Sequence, residues 1–330
     1  MSSIVRTLSK IDRVRKHPKG YISALAQALE FIRDRDRKFP FFIVVDDGGF
    51  PYVNPKRRRQ KIPIDAYETI VRLAKEFNTR IPVAFAMKYL DMHDVSGVGS
   101  PLHYAEELLA LIRKNNDAIE VAFHGLTHDI GDKSEFGPTN EDVSVIEDRQ
   151  YDHVEKSRDV CKSLGLSFPK IFVPPYHIWQ PGVTDRIVAS FGGKYIISMR
   201  KIVLGSRTYL FEGSDHMLFL PRLPIGIENE HTRLAADDLS LAKGILATDF
   251  RGIFKRFLPF SGSMAHSVMT HIGNFMPNNL SFWRELLKWI ESNDKMAICK
   301  NNEEAVTTYR SIKQLSEDAR LGLNPTHLST

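Results

Sequence analysis

Two adjacent carboxylates, Asp46 and Asp47, follow the apolar run Phe41-Phe42-Ile43-Val44-Val45 and precede Gly48-Gly49. At the end of a buried strand such a pair is costly unless a cation or a proton-transfer role balances it. Neighbours on an extended chain point in different directions, so the pattern predicts one carboxylate on a metal and the other toward a substrate. The glycines permit a sharp turn and close approach of a ligand. An Asp-Gly turn with a capping carboxylate accounts for the same residues. Farther on, Phe123-His124-Gly125-Leu126-Thr127-His128 places two histidines four apart, on one side of a helical turn. Both imidazoles can reach one ion; adding a carboxylate oxygen leaves a coordination position for water, a donor set that suits zinc. A surface histidine pair is the plainer alternative.

Two further strand ends carry candidates. Phe172-Val173-Pro174-Pro175-Tyr176-His177-Ile178-Trp179 leaves its strand through two stiffening prolines. It presents the Tyr176 backbone amide and several aromatic rings, a surface suited to sugar faces or an ordinary rigid turn. Ser267-Val268-Met269-Thr270-His271 puts His271 at the end of a late strand, where a structural histidine is equally at home.

The elements that must position these groups alternate. Strands are expected at 41–45, 81–86, 119–123, 170–173, 195–198, 267–270 and 295–299. Helices are expected at 20–38, 65–77, 104–114, 141–164, 183–190, 235–257, 280–292 and 302–315. Arg207–Phe211 and Met217–Leu220 read as a hairpin inserted into the alternation. Short apolar strands alternating with helices predict an α/β fold, a distorted (β/α)7-8 barrel of about the usual ~250 residues, whose active groups come from C-terminal strand ends. The expected division is a basic helical extension at 1–40, the barrel at 41–300, and a C-terminal helix and tail at 301–330.

Composition bounds the rest. The chain has 330 residues, 42% apolar and 26% charged, which excludes a disordered chain or a disulfide-stapled scaffold. Its two cysteines form no CxxC motif. No apolar run approaches the ~20 residues of a membrane span, and residues 1–19 lack the apolar block of a signal peptide; the expected location is therefore cytoplasmic. Residues 1–60 hold 14 Lys and Arg against 6 Asp and Glu, capped by Lys56-Arg57-Arg58-Arg59. That excess attracts an anionic partner or is simply a solvated face. No nucleic-acid-binding spacing accompanies it.

Together the four stations resemble the polysaccharide deacetylase superfamily, the NodB-like family 4 carbohydrate esterases. The family's TFDDG-type motif resembles Val44-Val45-Asp46-Asp47-Gly48, and its H-[ST]-x-x-H motif resembles His124 to His128, with Gly125 in place of the hydroxyl residue. Its R-x-P-Y motif is similar to Val173-Pro174-Pro175-Tyr176, and its late L-x-H motif to Met269-Thr270-His271. The resemblance implies metal-dependent hydrolysis of the N-acetyl group of an amino sugar. It implies that Asp47, His124 and His128 hold a divalent metal, zinc first, and that Asp46 is the general base. The Tyr176 amide would stabilise the oxyanion, and His271 would protonate the departing amine. Val173 stands where the family has arginine, and Arg222 is the candidate substitute.

With the cytoplasmic expectation, the implied substrate is an N-acetylated precursor of a surface polysaccharide, with or without phosphate. Two rivals remain. A nucleotide-sugar glycosyltransferase also uses an Asp-Asp-Gly metal site but leaves the histidines unexplained; a catalytically silent carbohydrate-binding barrel accommodates the missing arginine. A serine hydrolase is disfavoured, because Gly262-Ser263-Met264-Ala265-His266 lacks the second glycine of a nucleophile elbow.

Overall fold

A computed structural model of the chain describes residues 39–49, 51–54, 57–61, 64–90, 102–127, 135–137, 143–198, 201–204, 207–210, 214, 216–221, 234–251, 266–293 and 296–307. The expected helix at 20–38, and with it nearly all of the proposed 1–40 extension, lies outside these residues.

In chain order the strands are β1 (Phe39–Gly48), β2 (Pro51–Asn54), β3 (Arg57–Lys61), β4 (Ile81–Phe85), β5 (Ile119–Phe123), β6 (Ile171–Phe172), β7 (Tyr195–Ser198), β8 (Lys201–Leu204), β9 (Arg207–Leu210), β10 (Leu218–Pro221), β11 (His266–His271) and β12 (Met296–Ile298). The helices are α1 (Ile64–Glu76), α2 (Leu102–Lys114), α3 (Val143–Ser163), α4 (Thr184–Ser190), α5 (Ala236–Arg251) and α6 (Leu280–Glu291). The sheet runs in the order β10-β7-β6-β5-β4-β1-β11, each neighbouring pair being parallel, and β12 pairs with the start of β1. It curls into a half-barrel, the distorted barrel expected from the alternating pattern.

Because side chains alternate across a strand, the sheet buries both faces. Phe41, Ile43, Val45, Val83, Phe85, Phe123, Phe172, Ile196 and Val268 form one large core with the helices. Into it α1 inserts Tyr67, Ile70 and Leu73, and α6 inserts Trp283, Leu286 and Ile290. The intervening residues Phe42, Val44, Ala84, Ala122, Ile171, Val173, Ile197, Leu220 and Met269 fill the concave side. Ala84 of β4 and Ala122 of β5 stand directly opposite each other in this cluster.

The N-terminal end of the half-barrel is closed by the chain after β12. Cys299, Ala305 and Val306 join the concave core. Thr79 Oγ1 donates to the Cys299 carbonyl at 2.6 Å, Arg80 N–H to the Lys300 carbonyl at 2.8 Å, and Lys170 pairs with Glu303 at 3.3 Å.

Two local expectations change. Arg207–Leu210 pairs antiparallel with Lys201–Leu204, so the inserted hairpin is β8–β9. Leu218–Pro221 instead lies parallel to β7 in the main sheet; its Leu220, buried in the concave core, has a better place there than on a solvated hairpin. A second hairpin, β2–β3, rises directly after β1 and carries Arg57, Arg58 and Arg59. Among the described residues no helix is long and apolar enough to cross a membrane.

Candidate metal centre

Asp46 ends the regular part of β1. Pairing with β4 shifts register between Val45 and Gly48, the mark of a bulge. The bulge arises because Asp47 takes a left-handed backbone, with φ at 57°, a conformation that Asp tolerates better than most residues. Its amide donates back to Asp46 Oδ1 at 3.1 Å. Gly48 then returns to the sheet at a point where a β-carbon would come within 2.7 Å of Val83 and 2.9 Å of Phe85, so glycine is required. Gly49, with φ at 82°, donates its amide to the buried Tyr67 hydroxyl at 2.7 Å. The consequence corrects the extended-chain expectation. Rather than facing apart, the two carboxylates both reach one imidazole.

That imidazole is His124, the first residue after β5 and fully buried. Its amide donates to Phe85 O at 2.9 Å, continuing the β4–β5 ladder past the strand ends. Its Nδ1 lies 2.6 Å from the Val173 carbonyl; since a carbonyl only accepts, Nδ1 carries the proton. Nε2 therefore points at Asp46 Oδ1, 3.1 Å away, and Asp47 Oδ1, 3.3 Å away. A lone pair facing two carboxylates is repulsive, so a proton or a cation must sit between them. Burial pushes the ring toward its neutral form. The Asp46 charge and the hydrogen bond and charge of Asp47 outweigh burial, and the pKa rises from 6.5 to about 9.

The donor atoms of Asp46, Asp47 and His124 all lie within 4.8 Å of one another. One nitrogen and two carboxylate oxygens suit zinc and other borderline divalent ions. An imidazole whose far N–H is held by a backbone carbonyl is a usual outer support of a metal ligand. The residues present fit a divalent cation. The site thus draws in Asp46, which the motif reading reserved as a base, beside the expected ligands Asp47 and His124. The third expected ligand, His128, lies outside the described residues.

His271 joins the cluster from β11. The β1–β11 register pairs Asp46 with His271, and His271 Nε2 lies 3.3 Å from Asp47 Oδ2. Asp47 is thereby shared between a buried imidazole and one that is about one-third exposed. Tyr176 sits in the turn Pro175–His177, where Tyr176 and His177 both adopt left-handed backbones with φ of 53° and 59°. Its side chain is exposed on the rim, three residues past the Val173 carbonyl that anchors His124. Arg222, the candidate for the missing arginine, lies outside the described residues.

Two contributors were absent from the motif reading. One is the Val173 carbonyl, a backbone group that no side-chain motif can signal. The other is Glu135, buried to 1% exposure. Its Oε1 accepts the Leu126 amide at 2.7 Å, and its Oε2 accepts the Thr127 amide at 2.9 Å and the Thr127 hydroxyl at 3.0 Å. Burial opposes its ionisation, but His153 and the Thr127 and Leu126 amides hold its pKa below the ordinary carboxylate value. Glu135 also explains Gly125: with φ at 88°, a β-carbon there would overlap the Glu135 carboxylate.

No protein-family model and no curated protein matches the sequence. Solved structures do. A crystal structure of a "putative polysaccharide deacetylase" from Mycobacterium smegmatis aligns with a TM-score of 0.55 at 13% identity, covering 84% of this chain and 92% of its own. A family 4 carbohydrate esterase from Streptomyces lividans, in complex with acetate, aligns with a TM-score of 0.40 at 12% identity, covering 78% of this chain and 91% of its own. At these identities the likeness concerns architecture. In fold, the chain is structurally similar to the polysaccharide deacetylases.

Proposed function

We propose that the chain is a metal-dependent deacetylase that hydrolyses the N-acetyl group of an amino sugar. The observation that carries the reading is the convergence of Asp46, Asp47, His124 and His271 at the C-terminal strand ends of the half-barrel. Asp47, His124 and His128 would hold the ion, with Asp46 within reach of the same cluster. A divalent cation there would supply Lewis-acid polarisation of the acyl oxygen and acidify a water.

The chain's own groups supply the remainder. Asp46, its Oδ1 fixed by the Asp47 amide, accepts the proton of the attacking water. His271, oriented by Asp47 Oδ2, delivers a proton to the departing amine, which leaves poorly as an anion. The Tyr176 amide offers hydrogen-bond stabilisation to the developing oxyanion, and the exposed ring gives a sugar face a stacking surface. The Arg57–Arg59 strand, beginning ten residues past Asp47, supports a substrate bearing phosphate or another anion. A cytoplasmic precursor of a surface glycan fits that description.

The test is acetate release from a panel of N-acetylated sugars, with and without phosphate, after chelation and reloading with Zn²⁺, Co²⁺ or Mn²⁺. Reloading should restore release, and Asp46→Asn should reduce it by 10²-fold or more, the scale of a general-base loss. Metal binding without release across the panel would sink the deacetylase reading in favour of a silent barrel. Turnover only with a nucleotide-sugar donor would favour a transferase.

A further inference from the structure

We infer that Glu135 is a positioning residue for the candidate metal centre, fixing the backbone that leaves His124. The inference rests on the metal reading for its purpose but on geometry for its content.

The segment after β5 has two edges. Along one, the exit of β4 continues the ladder: Met87 N–H donates to Gly125 O and Lys88 N–H to Leu126 O, both at 2.9 Å. Along the other, β6 follows only briefly. Val173 N–H bonds Phe123 O at 2.8 Å, and the chain then turns away through Pro174 and Pro175. Prolines have no N–H, and the departing turn leaves no strand carbonyls to accept from Leu126 and Thr127. The Glu135 carboxylate takes that place, receiving both amides and the Thr127 hydroxyl.

A carboxylate is an expensive way to fill a buried space that an apolar side chain could occupy. Here three loop donors converge on it, one on Oε1 and two on Oε2, with His153 Nδ1 of α3 facing Oε2 at 3.6 Å. Gly125 is a second, independent sign. Any other residue would displace Glu135, so the two positions are mutually adjusted around one backbone path. That path fixes where the His124 ring begins, between the Val173 carbonyl and the two aspartates. Glu135 therefore acts on the ion through the backbone rather than by touching it, as outer supports of metal ligands do.

The experiment uses the full chain with Glu135→Gln, which preserves volume but turns one acceptor oxygen into a donor. Zinc affinity is measured by competition with a chromophoric chelator, and the His124 imidazole ¹⁵N resonances are recorded on metal-free protein. Zinc affinity should fall roughly 10- to 100-fold, the usual effect of losing an outer support. The His124 resonances should move while those of His216 stay. Thr127→Val, which removes only the hydroxyl contact, should give a smaller change in the same direction and serves if Glu135→Gln fails to fold. Unchanged affinity and unchanged His124 resonances in a folded variant would overturn the inference. Wild-type protein that binds no zinc, yet whose His124 resonances respond to Glu135→Gln, would reject the metal reading and leave the positioning role standing.

Discussion

Raising the pH of the metal-free protein should withdraw a defined amount of stability at one residue. His124 in the unfolded chain titrates near 6.5, whereas in the folded protein its pKa is raised to about 9. A raised histidine pKa contributes stability that is complete below pH 6.5 and is lost as pH climbs through about 9. The shift corresponds to about 3 kcal/mol, at about 1.4 kcal/mol per pH unit, and the ring is fully buried, so solvent screening is slight. The comparison is His124→Asn. Its side-chain N–H can still reach the Val173 carbonyl, but no atom occupies the position of Nε2. In urea titrations with chelator present, wild type should lose about 3 kcal/mol more than the variant between pH 6 and pH 9.5. Buried Cys161 and Cys299, whose thiols are pushed up to about 12, withdraw stability from both proteins above pH 9 and cancel in the difference. Proton and cation compete for the same nitrogen, so zinc affinity should rise up to tenfold per pH unit until about pH 9. Parallel stability profiles for the two proteins would refute the claim that Asp46 and Asp47 hold a charge on His124.

Gly125→Ala should destabilise by more than Gly165→Ala. Both glycines have positive φ, an Ala strain of about 1–2 kcal/mol, but a β-carbon at 165 meets open space while one at 125 strikes Glu135; denaturant midpoints compare them, and zinc affinity should fall only for the first. Neutralising Lys56, Arg57, Arg58 and Arg59 together should raise KM severalfold for a phosphate-bearing N-acetyl sugar and less for a neutral oligosaccharide. Equal effects on the two substrates would remove the hairpin from substrate recognition.

The legible parts of the fold are those where one physical signal decides. Ile119–Phe123 and Tyr195–Ser198 form strands with the expected bounds because short apolar runs between polar flanks have few other uses in a parallel sheet. The β2–β3 hairpin gave no such signal, since Arg57-Arg58-Arg59-Gln60-Lys61 has no apolar alternation. Likewise, the partner of Arg207–Leu210 could not be read from apolarity, because Lys201–Leu204 and Leu218–Pro221 are both plausible strands. At the site, residue types identified Asp46, Asp47 and His124 as groups seeking a cation or a proton, and only the family resemblance gave His271 a role. Their directions were not legible. An extended strand separates neighbouring side chains, and only the left-handed turn at Asp47 reverses that rule. Glu135 was hidden for another reason: its partners are amides, which every residue but proline carries.

The backbone itself marks the rim as the place where this chain accepts strain. Of the four described non-glycine residues with positive φ, Asn78 follows α1, where a left-handed residue ends a helix at little cost. Of the other three, Asp47 lies in the bulged end of β1 and Tyr176 and His177 lie past β6, and Gly125 makes the same left-handed turn past β5. Each non-glycine instance costs about 1 kcal/mol or more, and none is needed to leave a strand, since an ordinary right-handed turn would do so without penalty. At Asp47 the return on that strain is visible, because the turn brings a second carboxylate onto His124. Past β6, the paired left-handed residues turn the chain away above the carbonyl that fixes the same ring. Strain gathered at the ends of β1 and β6, on either side of one buried imidazole, follows from a demand for convergence there, and the packed core supplies the stability that offsets it.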